Sequence, residues 1–318
     1  MKLLNNLIGR NPPFKHIIDY DKLITEKLTA CPACDASVVN SSLNFSNLDR
    51  YGFPTQVQRC KVCELFFVNP RPIEEEYAKM YDSGKYRKLI HALSGKDDDH
   101  KMPQKRVSEV VSFLMDHVAQ RPLKILNIGG TPSDYHALKE HLTIERYVCV
   151  NPGLDEAGTG YEVWPYSFEI CEKDAEFFDL VCLFGTINHL LDPRSVFQKI
   201  PKYMDDEAIF VFDYKDPIKK MNRMNNPVGA LQFDHPTYPT FKTLGILMQQ
   251  AKLELISSQT LNKKLYTFAT RVSDKPTLDP IFDQDQADEI SGMSKYLGRT
   301  PKRLFAKAML SYLNMQQK

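Results

Sequence analysis

The chain predicts an α/β fold: a mostly parallel sheet covered on both faces by helices, preceded by a small cysteine-rich module. Three observations carry that expectation. Four apolar runs, "LKILNI" (123–128), "RYVCVN" (146–151), "FDLVCLFG" (178–185) and "AIFVFDY" (208–214), alternate with stretches of helical periodicity. Apolar runs separated by helices are the pattern of buried parallel strands joined by right-handed crossovers. Gly129 and Gly130 break the chain directly after the first run. Two C-x-x-C pairs, Cys31 with Cys34 and Cys60 with Cys63, stand well ahead of it.

In chain order, an N-terminal extension (1–30) precedes the doubled C-x-x-C, which can deliver four thiolates to one tetrahedral zinc at about 2.3 Å each. A redox pair is the alternative, and it fits less well, because such a pair normally stands alone at a helix start. Here turn formers such as Pro32 and Asp35 surround the cysteines. Cys149, Cys171 and Cys182 lack partner spacing and read as small core residues. After the second pair, Leu65 to Val68 predicts a ribbon strand, Asn69-Pro70-Arg71-Pro72 ends it, and Glu74 to Tyr81 predicts a short helix. Module and linker helix occupy 31–100.

The main domain spans 101–272. Val107, Val110, Val111, Leu114 and Val118 form one apolar helical face ahead of the first strand. A helix over 133–142 follows the glycine turn, with Ser133 or Asp134 as its cap. Further helices are expected near 194–204 and 240–252, and "LELISS" and "KLYTFATR" close the sheet as an antiparallel pair. The tail (273–318) places Leu304, Phe305, Ala308, Met309, Tyr312 and Leu313 on one face of an amphipathic helix, a surface for docking on the core or on a second subunit.

Composition narrows the partners. With 41 basic and 40 acidic residues, the net charge of +1 gives no electrostatic case for nucleic acid or an anionic membrane. No apolar run approaches the roughly 20 residues that span a bilayer. The opening "MKLLNNLIGRNPPF" lacks the core of a signal peptide, so a cytoplasmic protein with reduced thiols is expected. Ligands of open parallel sheets bind beyond the carboxyl ends of the strands, a rule that gathers Gly129, Gly130, Asn151, Gly185, His189, Asp213 and Tyr214 on one edge.

Five segments in order carry a resemblance: "CPAC"; "CKVCELFFVNPRP" with the tyrosine-rich "EEEYAKMYDSGKY"; "LNIGGTPSDY"; "FDLVCLFGTINHLLDP"; and "FDHPTYPTFKTLGILMQQAKLEL". Over roughly 31–271 the chain resembles class I S-adenosylmethionine-dependent methyltransferases, most closely the branch with an N-terminal zinc module that includes sugar-modifying enzymes. The resemblance implies a Rossmann-like methyltransferase sheet. It also implies zinc on Cys31, Cys34, Cys60 and Cys63, and cofactor contacts from Gly129, Gly130, Thr131, Asn151, Phe168 and Gly185. Departures from the family pattern sit at the cofactor edge: the loop is not G-x-G-x-G, and the second strand ends in Asn151 where an acid is usual. His189 and His235 are candidate bases, because imidazole titrates near neutral pH, and Tyr238 is a candidate acceptor-side residue. The implied activity is methyl transfer to a small polar molecule, a nucleotide-linked sugar or glycan. The alternative is a non-catalytic relative kept for binding or assembly.

Overall fold

The computed structural model describes residues 14–41, 45–49, 51, 53–82, 84–94, 104–118, 121–154, 157–174, 176–217, 231–261, 265–277 and 282. The C-terminal amphipathic helix expected over the tail lies outside these residues. Among the described residues no helix is long and apolar enough to cross a membrane.

The main sheet has seven strands. In chain order they are β6 (Leu123–Ile128), β7 (Ile144–Val150), β8 (Glu162–Trp164), β9 (Phe178–Leu183), β10 (Met204–Tyr214), β12 (Leu253–Leu261) and β13 (Leu265–Val272), arranged β12-β13-β10-β9-β6-β7-β8. The strands from β8 to β10 are mutually parallel, while β13 runs antiparallel to both β10 and β12. This is the expected mostly parallel sheet. Strand β8 is one that the sequence reading did not contain.

Period-two alternation decides which residues face which layer. Leu123 and Ile125 of β6, Tyr147 and Cys149 of β7, and Leu180 and Cys182 of β9 pack with Val110, Phe113 and Leu114 of helix α3 (Gln104–Met115) and Tyr135 and Leu138 of α4 (Pro132–Lys139). The intervening Leu126, Ile128, Val148, Val150, Val181 and Leu183 face the other way. There they meet Val196 and Phe197 of α5 (Pro193–Lys199) and Phe241, Leu244, Leu247 and Met248 of α6 (Phe241–Gln250). Fully burying side chains of this size stabilises by about 1.5–3 kcal/mol each, before entropy is charged against them.

The cysteine-rich module joins that second layer: Cys31, Cys60, Cys63, Leu65 and Phe67 share one core with the sheet. Its own sheet has the order β11-β4-β3-β2, from β2 (Phe45–Leu48), β3 (Pro54–Arg59), β4 (Phe66–Val68) and β11 (Thr237–Tyr238). The edge strand β11 comes from the far end of the main domain and pairs Thr237 with Phe67 and Tyr238 with Phe66. The module is therefore completed by a segment outside 31–100, a long-range pairing that chain order alone does not show. Arg71–Pro72, expected only to stop the ribbon strand, forms β5 against β1 (Thr25–Glu26). Two linker helices, α1 (Glu74–Asp82) and α2 (Lys85–Ser94), then lead towards the sheet edge.

Candidate active site

Beyond the carboxyl ends of β6, β7 and β9 opens a cleft of about 710 Å³. Gly129, Thr131, Asn151, Phe168, Gly185 and His189 all line it, so six positions spread over sixty residues of sequence converge on one space.

The turn after β6 is fixed by backbone conformation and packing. Gly129 has φ +72, and a Cβ there would lie 2.1 Å from Thr186 Oγ1. Gly130 serves a different end: its missing Cβ makes room for Asn127, whose Cγ would be 2.5 Å away. Gly130 does not line the cleft, and the expectation that it gives a ligand close approach is replaced by one of internal packing. Helix α4 begins at Pro132, where no backbone N–H is needed, with Thr131 rather than Ser133 or Asp134 as its cap. Asp134 closes the cap by accepting from Thr131 N at 2.8 Å and Thr131 Oγ1 at 3.0 Å.

Asn151 spends its amide on this loop. Its Nδ2 donates to Gly130 O at 2.8 Å and its Oδ1 accepts from Gly153 N at 2.9 Å. A carboxylate could not make the first of these bonds, which gives a structural reason for a neutral amide at this place. On the opposite lip, Asp213 Oδ1 accepts from Gly185 N at 2.7 Å, so Asp213 braces the loop after β9. Phe168 is 2% exposed and sits 5.4 Å from the Tyr203 ring, presenting part of its surface to the cleft from the core. Tyr214 is buried and donates to Pro239 O at 2.9 Å, away from the cleft.

The other end of the cleft is closed by the linker helices. Tyr77, Tyr81 and Tyr86 line it together with Glu74 and Glu169, none of which was singled out from the sequence. The tyrosine-rich linker was the available signal. Burial pushes the phenols of Tyr77 and Tyr81 well up, so they act as neutral hydrogen-bonding groups. Burial likewise pushes the Glu169 carboxyl up, against the hydrogen bond it accepts from Leu191 N at 3.0 Å.

His189 Nδ1 lies 3.1 Å from Tyr81 Oη, and its ring meets that of His235 edge-on at 4.4 Å. Asp234 is completely buried beside both, with Oδ2 4.0 Å from His189 Nδ1 and 3.9 Å from His235 Nε2. The structure thus brings the two expected histidines together, with His189 in the wall of the cleft and His235 behind it. Tyr238 stands elsewhere: it is 2% exposed, and its hydroxyl donates to Gln232 O at 3.1 Å and accepts from Gln232 N at 2.7 Å. That engagement shapes a turn, which corrects the expectation of a residue facing the acceptor.

On the far side of the core, the four cysteine sulfurs lie within 4.8 Å of one another, with Cys31 to Cys63 at 3.5 Å and Cys34 to Cys60 at 3.6 Å. Thiolates at about 2.3 Å from a tetrahedral zinc stand roughly 3.8 Å apart, so the donor set has the required size. The thiols compete for protons. Hydrogen bonding to Cys63 holds Cys34 down to about 7, while hydrogen bonding with Cys60 pushes Cys31 up to about 12.

A parallel sheet with a glycine turn, a helix start and a cleft of mixed polarity at its switch point is the arrangement in which open α/β sheets place their ligands. The chain belongs to the methyltransferase-domain family, whose model matches residues 81–258, and is a class I S-adenosylmethionine-dependent methyltransferase by family. No curated protein matches it. Among solved structures it is similar to a Burkholderia thailandensis 1,6-didemethyltoxoflavin-N1-methyltransferase bound to S-adenosylhomocysteine (14% identity, 69% of this chain and 96% of that one, TM-score 0.47). It is also similar to an S-adenosylmethionine-dependent methyltransferase from Clostridium acetobutylicum (11% identity, 59% and 99% of the two chains, TM-score 0.44).

Proposed function

We propose that the protein transfers a methyl group from S-adenosylmethionine to a small polar acceptor, a nucleotide-linked sugar or glycan, while a zinc on Cys31, Cys34, Cys60 and Cys63 holds the N-terminal module together. The observation that carries this reading is the single cleft walled at one end by Gly129, Thr131, Asn151, Phe168 and Gly185 and at the other by His189. Bound there, S-adenosylmethionine supplies an electrophilic methyl group on a sulfonium.

The chain's own groups do the rest. The Gly129 turn holds the cofactor's methionine portion, Asn151 braces that turn and offers its remaining N–H and oxygen lone pair to the ribose, and Phe168 offers an apolar surface for the adenine. Glu74, Ser167, Tyr81 and Lys215 supply the mixed donors and acceptors that orient a hydroxyl-rich acceptor. His189 is the base. In the tautomer whose Nδ1–H donates to Tyr81 Oη, Nε2 carries the lone pair that takes the acceptor's proton, and the buried Asp234 carboxylate stabilises the resulting imidazolium. His235 packs behind the ring and limits its rotation. Zinc and reduced thiols fit a cytoplasmic protein.

Titration calorimetry with S-adenosylmethionine and S-adenosylhomocysteine tests the reading. The wild type should bind both, and Gly129→Val, which combines a disfavoured positive φ with overlap on Thr186, should weaken binding at least ~10-fold, about 1.4 kcal/mol. A well-folded wild type that binds neither ligand sinks the proposal.

A further inference from the structure

His235 and Asp234 belong to a turn, residues 231–238, that is held from two sides: Thr237 Oγ1 donates to Leu190 O of the main domain at 3.1 Å, and its other anchors lie in the N-terminal module and its linker. Val68 N donates to Pro236 O at 2.9 Å, and β11 completes the module's sheet. The Phe233 ring sits edge-on between Tyr51 at 5.7 Å and Phe53 at 4.9 Å. Tyr77 Oη, on helix α1, donates to Phe233 O at 2.9 Å.

The most specific of these ties comes from one carboxylate. Asp49, 4% exposed, follows β2 and divides its two oxygens between near and far partners. Oδ1 accepts from Tyr51 N at 2.8 Å and Phe53 N at 2.9 Å, closing a local turn; Oδ2 accepts from Phe233 N at 2.6 Å, one residue before Asp234. Only an acidic side chain satisfies three converging N–H donors in this way, because an amide would point its own N–H₂ at one of them. A buried carboxylate committed to a backbone N–H 184 residues away is poorly explained by local folding, which the Oδ1 bonds already serve.

We propose that Asp49 is a positioning residue for the acceptor-side histidines, fixing from the N-terminal module the turn that carries Asp234 and His235. This rests on the reading of His189 and His235 as the acceptor-side machinery. It assigns the module a part in the chemistry besides folding: the base is held between two elements, with His189 on the main domain's β9 loop and its support, Asp234 and His235, on a turn buttoned to the module.

Asp49→Asn separates the two halves of this arrangement. The Asn oxygen can keep the Tyr51 and Phe53 bonds, while its N–H₂ faces Phe233 N, donor against donor. The probe is the ring Cε1–H resonance of histidine in ¹³C-histidine-labelled full-length protein, assigned with His189→Gln and His235→Gln. Edge-on rings at 4.4 Å shift each other's resonances, so the variant should move both signals towards ordinary positions. Zinc content should be unchanged, and S-adenosylhomocysteine affinity should stay within about twofold, as for sites without shared partners. Both resonances at their wild-type positions in folded Asp49→Asn overturn the proposal. If that variant does not fold, Asp49→Ser, whose hydroxyl can accept from the near N–H groups but cannot span to Phe233, is judged by the same two resonances. Absence of cofactor binding by the wild type would instead count against the methyltransferase reading.

Discussion

Adjacent glycines at the mouth of the cleft answer to different constraints, and substitutions should separate them. At Gly130 the conformation is open to any residue, but a Cβ would overlap Asn127, a completely buried side chain that also donates to Tyr147 Oη at 2.7 Å. Gly130→Ala should therefore cost about 1–3 kcal/mol of stability through overpacking, read as a lower urea midpoint, with ligand affinity kept, whereas Gly129→Val, which adds a disfavoured positive φ and a 2.1 Å overlap on Thr186, should lower stability and ligand affinity together. Asn151 offers a second contrast. An aspartate there matches the usual ribose-binding acid, yet it removes the donor to Gly130 O and sets a carboxylate against a carbonyl. Asn151→Asp should lose about 1–2 kcal/mol in thermal or urea unfolding and gain no cofactor affinity. Tighter S-adenosylhomocysteine binding at unchanged stability would show that the bracing role assigned to the amide is wrong.

At the scale of elements, the joint between the β2–β3 loop and the 231–238 turn should have its own pH signature. Burial, with repulsion from Asp234 as a smaller cause, pushes the Asp49 carboxyl up to about 7, against about 3.9 for a solvated aspartate. Between about 4 and 7 the folded chain thus holds a proton that the unfolded chain releases; above that range Asp49 is the carboxylate that accepts from Tyr51, Phe53 and Phe233 N, bonds that pull its value down against burial. Folding stability from this group is complete below about 4, falls as pH rises through about 7, and is flat above. Urea midpoints measured from pH 4 to 8 should show that decline in the wild type and a shallower one in Asp49→Asn. Parallel curves would exclude Asp49 as the source. Helix α6 is tied to the same region, since Thr243 Oγ1, in its first turn, donates to Cys63 O at 2.8 Å.

Across the whole molecule, that bond and the β4–β11 pairing link the cysteine cluster to residues 237–243. Cys60→Ser should abolish metal retention, because zinc binding in small modules is coupled to their folding. The loss should also travel. Amide exchange should accelerate at least ~10-fold in residues 31–68 and in 237–243, while β6 and β9 at the centre of the sheet keep their protection. Exchange confined to 31–68 would mean that the module and the 237–243 segment are energetically independent.

Much of this was readable from local pattern. The strand β6 falls on the six residues of "LKILNI", and α3 carries the apolar face from Val107 to Leu114, because a period of two or 3.6 is a property of neighbouring residues. The paired C-x-x-C spacing likewise encodes a four-sulfur cluster by itself. The edge where the cleft opens was legible through a topological rule, since strand order fixes which loops meet at the switch point. Other features depended on contacts between distant residues, and no local signal announces those. Tyr238 looked like a functional aromatic and is a buried brace; Gly130 looked like a ligand contact and is a packing vacancy for Asn127; Asp49 carried no motif at all. The sequence alone determined the fold class and the metal-sized cysteine set, because each rests on short-range periodicity or spacing. Tertiary structure alone decided that β11 completes the N-terminal module and that Asp234 stands beside two touching histidines, because hydrogen bonds and charges act on whatever the fold brings within a few ångströms, however far apart in the chain.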